Sequence, residues 1–272
     1  MRLAVSNIAW AAEEHAAVLA ALPGMGVTGV EIAPTMLWPG WEGATPSAAR
    51  AVRGHLAAAG LAVPALQAIL FARPDLHVFG DAASQAGLSA HVARVATLAA
   101  AFGAGVMVFG APRNRLRGEL SPEAAMDRAV QLFRALGAAC HDAGTALGIE
   151  ANPAQYGGDF LLRWSEAAEL VARVDHPGIV LHLDTACTAL AGDDPVAAAA
   201  FCAARIGHFH VSAAHLGPVD ETSDSAHDAI GAALRDGGYG GWVSIEMRRS
   251  DTPLASVARA AAFVRRCYGD TP

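Results

Sequence analysis

Cysteine is scarce in this 272-residue chain, and the four present, Cys140, Cys187, Cys202 and Cys267, include no C-x-x-C pair. That speaks against a disulfide framework and for reduced thiols in a cytoplasm. No apolar run reaches 18 residues, so no membrane span is expected; the mean hydropathy of +0.32 owes much to alanine. The N-terminus has neither a long apolar stretch nor a small-residue cleavage site, so no secretory signal is expected. Glycine is missing after the first candidate strand, in Val5-Ser6-Asn7-Ile8-Ala9-Trp10, which removes the dinucleotide-binding fingerprint of an open doubly wound sheet. Positive charge is short as well: the net charge is −7 and the pI near 5.8, which argues against nucleic acid and leaves small molecules as the expected partners. No Pro/Ser-rich spacer or charge block divides the chain. One domain over residues 1–272 is expected, ordered to about Tyr268 and frayed over Gly269–Pro272.

What is present is an alternation of short apolar runs with alanine-rich helical stretches. Candidate strands are Leu3–Val5, Val27–Ile32, Ala62–Gln67, Val106–Phe109, Ala146–Glu150, Ile179–Asp184, Ile206–Val211 and Trp242–Glu246. Eight strands at a mean repeat of about 34 residues predict an α/β fold, a single (β/α)8 TIM barrel. Helix starts are marked by Thr45-Pro46, Ser121-Pro122-Glu123 and Asp194-Pro195, and stops by Gly60 and Gly144. The longer insertions, Pro34–Ala44, Ala68–Ser84, Gly110–Leu120, Asn152–Trp164 and Ser212–Ser225, all follow strands. In a barrel they would build the active-site face.

Glu150, Asp184, His210 and Glu246 sit at the ends of the last four candidate strands but differ in kind from the apolar residues before them. Their spacings of 34, 26 and 36 residues suit one strand plus one helix each. An unpaired carboxylate in apolar packing costs several kcal/mol, so a core role explains them poorly. Three carboxylates around one imidazole suit a divalent ion such as Mn²⁺, Mg²⁺, Co²⁺ or Zn²⁺. Strand alternation places His182 on the face of Asp184 and His208 on that of His210, as interior, orienting or ligand residues.

The chain resembles the xylose isomerase-like TIM barrels, the sugar phosphate isomerase/epimerase superfamily. The resemblance rests on Ser6–Trp10, Gly29-Val30-Glu31-Ile32-Ala33-Pro34, Gly148-Ile149-Glu150-Ala151-Asn152-Pro153 and Leu181-His182-Leu183-Asp184-Thr185. It extends through His208-Phe209-His210-Val211-Ser212 and Gly240–Met247. It implies that Glu150, Asp184, His210 and Glu246 bind a divalent metal, and that Glu150 and Glu246 exchange protons with a sugar. Two positions depart from the sugar epimerases of that superfamily. Cys187 stands where a histidine often follows the strand-six aspartate, and His215-Leu216 occupies the stretch where an arginine often follows the strand-seven histidine. Both bear on hydroxyl contacts and point away from a close free-ketose 3-epimerase.

Arg73, Arg113, Arg115, Arg248 and Arg249 fall in the same loops, and arginine's planar fork suits a phosphate or carboxylate; Arg113 and Arg248 are the favoured ligands. Asn7, Gln67, Asn152, His182 and His215 are further candidates for substrate contact. Glu31 is either a contact or the partner of an arginine, and Trp10, Trp38 and Trp41 either cover a pocket, cap the barrel or contact another subunit. The reading is a metal-dependent isomerase or epimerase of a sugar, polyol or sugar phosphate, compatible with a homo-oligomer. Its rivals are a lyase dehydrating a keto-inositol or related keto acid, an AP-endonuclease-like phosphodiesterase, and a non-catalytic sugar-binding barrel.

Overall fold

The computed structural model describes residues 1–221 and 226–269; the end of the Ser212–Ser225 insertion and the last three residues of the expected frayed tail lie outside the described residues. Eight parallel strands, β1 (Arg2–Ser6), β2 (Gly29–Glu31), β3 (Ala65–Leu66), β4 (Val106–Phe109), β5 (Ala146–Glu150), β6 (Ile179–Asp184), β7 (Ile206–Ser212) and β8 (Trp242–Glu246), run in the order β2-β1-β8-β7-β6-β5-β4-β3. The remaining seam closes through the bridges Gly29–Ala62 and Ile32–Leu66, with the Val30 and Gln67 amides donating to Ala62 and Ile32 carbonyls at 2.9 Å. The fold is the expected (β/α)8 barrel. Strands two and three are shorter than the sequence pattern predicts, since Pro64 has no N–H to offer the ladder between Ala62 and Ala65.

Helices α1 (His15–Ala21), α2 (Pro46–Ala58), α3 (Ala82–Phe102), α4 (Pro122–Asp142), α5 (Trp164–Val174), α6 (Pro195–Cys202), α7 (His227–Asp236) and α8 (Pro253–Tyr268) form the outer ring. Thr45, Ser121 and Asp194 cap α2, α4 and α6 as their sequence context predicts, each side-chain oxygen accepting an amide of the first turn. The apolar core lies between strands and helices: Phe109 meets Phe133 of α4 edge-on at 5.2 Å, and Phe209 meets Tyr268 of α8 at 5.8 Å.

The barrel interior is small and polar by contrast. Its paired positions include Ala4–Ser244, Ser6–Glu31, Glu150–His182, His182–His208 and Asp184–His210. Gly148 belongs here because a Cβ would press on Val106 at 2.9 Å and on the His182 Cβ at 3.4 Å. A register shift between β6 and β7 controls which residues meet. Leu181 pairs with Ile206 but His182 pairs with His208, so Gly207 is the extra residue. Continuous pairing would set Phe209, not His210, beside Asp184, because one residue of slip exchanges the two faces of a strand.

Among the described residues no helix is long and apolar enough to cross a membrane. At the foot of the ring, His227 of α7 is buried and hydrogen-bonded through Nδ1 to the Tyr268 hydroxyl at 2.6 Å, joining α7 to α8. Burial pulls its pKa down from 6.5 to about 4. A base whose folded pKa is lowered contributes stability above its unfolded pKa and loses it as pH falls. The protein should therefore lose of order 3 kcal/mol between pH 6.5 and 4 from this residue. His227→Asn keeps an acceptor for Tyr268 and should flatten that part of the Tm-against-pH curve; an unchanged acid slope would show that His227 is not responsible.

Candidate active site

Glu31 is the fixed point of the site. It has no exposed surface and accepts hydrogen bonds from His208 Nε2 at 3.0 Å and from His210 Nε2 at 2.9 Å. Burial would raise its pKa, but the two imidazoles more than offset that and keep it ionised. Because a carboxylate only accepts, His210 must donate from Nε2, which turns Nδ1 into the free end of the ring.

That Nδ1 is buried without a hydrogen-bond partner among the described residues, 3.5 Å from Glu246 Oε2 and 4.0 Å from Asp184 Oδ2. Asp184 ends β6 and caps the helical turn Thr185–Leu190: Oδ1 accepts the Cys187 amide at 2.6 Å and Oδ2 accepts the Ser212 hydroxyl at 2.6 Å. Glu246 Oε1 accepts the Gln67 amide at 2.7 Å. Glu150 Oε2 accepts the Asn152 amide at 2.9 Å, and its Oε1 lies 3.5 Å from His182 Nε2. Donor atoms within 4.8 Å of one another form linked sets: Asp184, His210 and Glu246; Glu150, Asp184 and Cys187; Glu150, His182 and His210.

Charge is unbalanced in this cluster. Burial, and then the charges of Asp184 and Glu246, push Glu150 up to about 8; burial and Glu246 raise Asp184 as well. With no ion among them, Glu31 and Glu246 outweigh burial and raise the His210 pKa, which puts a proton on Nδ1 that a divalent ion would have to displace. Converging carboxylates, an orphaned imidazole nitrogen and donor atoms within 4.8 Å of one another fit a divalent ion held by bonds of about 2.0–2.4 Å. Glu31 would then act as the carboxylate that orients a liganding histidine.

Residues 19–267 match the family described as xylose isomerase-like TIM barrel. The chain belongs to that family. No curated protein matches the sequence. Among solved structures it is similar to D-psicose 3-epimerase from Clostridium cellulolyticum H10 with D-tagatose, at 15% identity and TM-score 0.81 over 99% of this chain and 100% of that one. It is also similar to 3-keto-D-glucoside 4-epimerase YcjR from E. coli, at 17% identity and TM-score 0.78 over 98% and 100%. A third is the IOLI protein with a zinc atom, at 14% identity and TM-score 0.78 over 98% of both chains.

In this xylose isomerase-like barrel a cavity of about 900 Å³ opens onto Glu150 and Glu246, walled by the loops after β3 and β4. Gln67, Arg73 and Arg113 line it; the other residues put forward for substrate contact stand elsewhere. The Asn7 amide is tied to both backbone groups of Ala33, Asn152 is buried behind Glu150, and His182 is buried beneath the site with neither ring nitrogen hydrogen-bonded. His215 is exposed against Tyr156, and Arg248 is exposed beyond β8. Arg73 pairs with Asp75 and Arg249 with Glu14. Trp10 and Trp41 are buried caps whose indole N–H groups go to His15 and to the Phe71 carbonyl.

Three differences from the sequence reading have physical causes. Glu31 partners two histidines rather than an arginine, because β2 and β7 face each other across the interior. His210 does not end its strand: β7 runs on to Ser212, whose hydroxyl reaches Asp184, a role legible in the two-residue period shared with His210. Arg115 is fully buried instead of on the rim, and no periodicity marks a loop residue of that kind.

Gly110 tests the geometry without removing a donor, since a Cβ there would strike Glu150 Oε2. Gly110→Ala should weaken Mn²⁺ binding by about tenfold or more, and His210→Ala should abolish it, both read by calorimetry on folded protein. Full affinity in His210→Ala would remove Nδ1 from the ligand set.

Proposed function

We propose that this barrel is a divalent-metal-dependent isomerase or epimerase acting on a small sugar, polyol or sugar phosphate by removing a proton next to a carbonyl. The observation that carries this reading is that Glu150 and Glu246, on β5 and β8, both open onto one cavity beside the orphaned His210 Nδ1. Asp184, His210, Glu150 and Glu246 would hold the ion, whose positive charge stabilises the enediolate that forms. Glu150 and Glu246 take and return the proton. Gln67, which lines the cavity, steadies Glu246 by donating its amide to Oε1.

The sugar epimerases among the structural neighbours support the reaction class. The amino acid composition supports it too: all 19 basic residues are arginine, so this chain has no lysine amine with which to activate a carbonyl as an imine. The four cysteines are unpaired and buried, in keeping with a cytoplasmic place of work. A lyase would share the proton abstraction and differ in losing water, which the product mass reveals.

Glu150→Gln and Glu246→Gln should each lower kcat by about a hundredfold or more, with metal content measured beside the rate. Near-normal turnover in a metal-loaded variant would take that glutamate out of proton transfer. In D₂O, turnover should place deuterium beside the carbonyl, or substrate deuterated at that carbon should show a primary isotope effect. If neither occurs when chemistry limits the rate, the carbon–hydrogen bond is not broken and the proposal fails.

Arg113 lines the cavity, and among the described residues no hydrogen bond or ion pair engages it, which suits it to an anionic substituent. Arg113→Ala should weaken a phosphorylated or carboxylated substrate about ten- to a hundredfold more than its neutral analogue. Equal losses in KM for both would assign Arg113 to the loop alone.

A further inference from the structure

We propose that Arg115 is a positioning residue for Glu150, acting through the side-chain amide of Asn152. Arg115 ends the 3₁₀ turn Pro112–Arg115 after β4 and has no exposed surface. Its Nη2 donates to Asn152 Oδ1 at 2.9 Å, with longer contacts of 3.4 Å to the Phe109 and Leu161 carbonyls. The Asn152 backbone is fixed as well, its amide donating to Leu161 O at 3.0 Å.

The two ends of a carboxamide have nearly the same shape, so sterics alone do not choose between the two orientations of Asn152. Chemistry does. A guanidinium has donors only, so it admits the oxygen end and turns the NH₂ end to Glu150 Oε2 at 2.9 Å, with Cys187 Sγ at 3.6 Å. Gly110 closes on the same Oε2. One oxygen of Glu150 is thereby held from two sides, and Oε1 is left as the free end, in reach of the His182 and His210 nitrogens. Packing does not account for the arginine: a buried cation is costly, and an apolar side chain of similar volume commonly serves as well or better. Burial here pulls even a guanidinium down to about 10.

This inference rests on Glu150 being a metal ligand only for its first test. Arg115→Met, similar in length and uncharged, should bind Mn²⁺ about 10–100-fold more weakly than the wild type by calorimetry. In an Asn152→Leu background the same change should add nothing, because the link is already cut. Unchanged affinity, or equal losses in both backgrounds, would overturn the relay. Arg115→Lys keeps one donor for Asn152 and should recover part of the loss.

The second test needs no metal. In protein labelled with ¹⁵N-asparagine, the Asn152 NH₂ protons should exchange with solvent severalfold faster in Arg115→Met than in the wild type. Equal exchange overturns the proposal. If exchange quickens while the wild type binds no Mn²⁺, the relay stands and the metal reading falls. Should Arg115→Met fail to fold by circular dichroism, Arg115→Leu, also without a donor, completes the same cycle.

Discussion

A carboxylate with no access to water, that of Glu31, is the constraint on which the site depends. An isolated charge at that depth would cost several kcal/mol, and here it is offset by two imidazole donors, from His208 and His210. Their nitrogens cannot turn away without stranding it. The His210 ring is therefore held in one orientation, with Nε2 toward Glu31, and its other nitrogen is presented to Asp184 and Glu246 on the opposite side. The carboxylates that converge there follow from strand positions, but a histidine ring free to rotate would not give them a common focus.

This arrangement divides the barrel into two kinds of interior. Between strands and helices the packing is apolar and aromatic, with Phe109, Phe133, Phe209 and Tyr268 in contact across the layers. Inside the strands, small residues such as Ala4, Ser6, Gly148 and Ser244 leave room for a layer of histidines and acids. The outer layer supplies the hydrophobic stabilisation, so the inner one is free to hold groups that cost stability. Tight apolar packing around the strands also keeps the interior groups from relaxing toward solvent.

The arginines divide in the same manner. Arg73 and Arg249 are occupied with nearby carboxylates, Arg115 lies inside the wall behind Glu150, and Arg113 lines the cavity with no partner among the described residues. Residues two apart in one loop, Arg113 and Arg115, thus face different media. The two glutamates differ as well: Glu150 is held by an amide tied to a buried cation, whereas Glu246 is half-buried and held by an amide that faces the cavity. The pair is chemically identical and physically unequal.

Strand number, helix caps and the strand positions of Glu150, Asp184, His210 and Glu246 were legible in the sequence because each is written in local periodicity. An apolar run of fixed parity ends in a polar residue, and Thr45, Ser121 and Asp194 announce the helices by rules that reach only three residues ahead. Partners across the barrel were not legible. Glu31 and His210 stand 179 residues apart, and what joins them is the curvature of the closed sheet. The shift at Gly207 sets His210 beside Asp184, while Phe209 would take that place without it. The burial of Arg115 and the exposure of Arg113 depend on how one loop folds over the strand ends. A sequence determines which side of its own strand a residue takes, since that alternation is local; which residues it then faces is decided by register and closure, which only the tertiary structure sets.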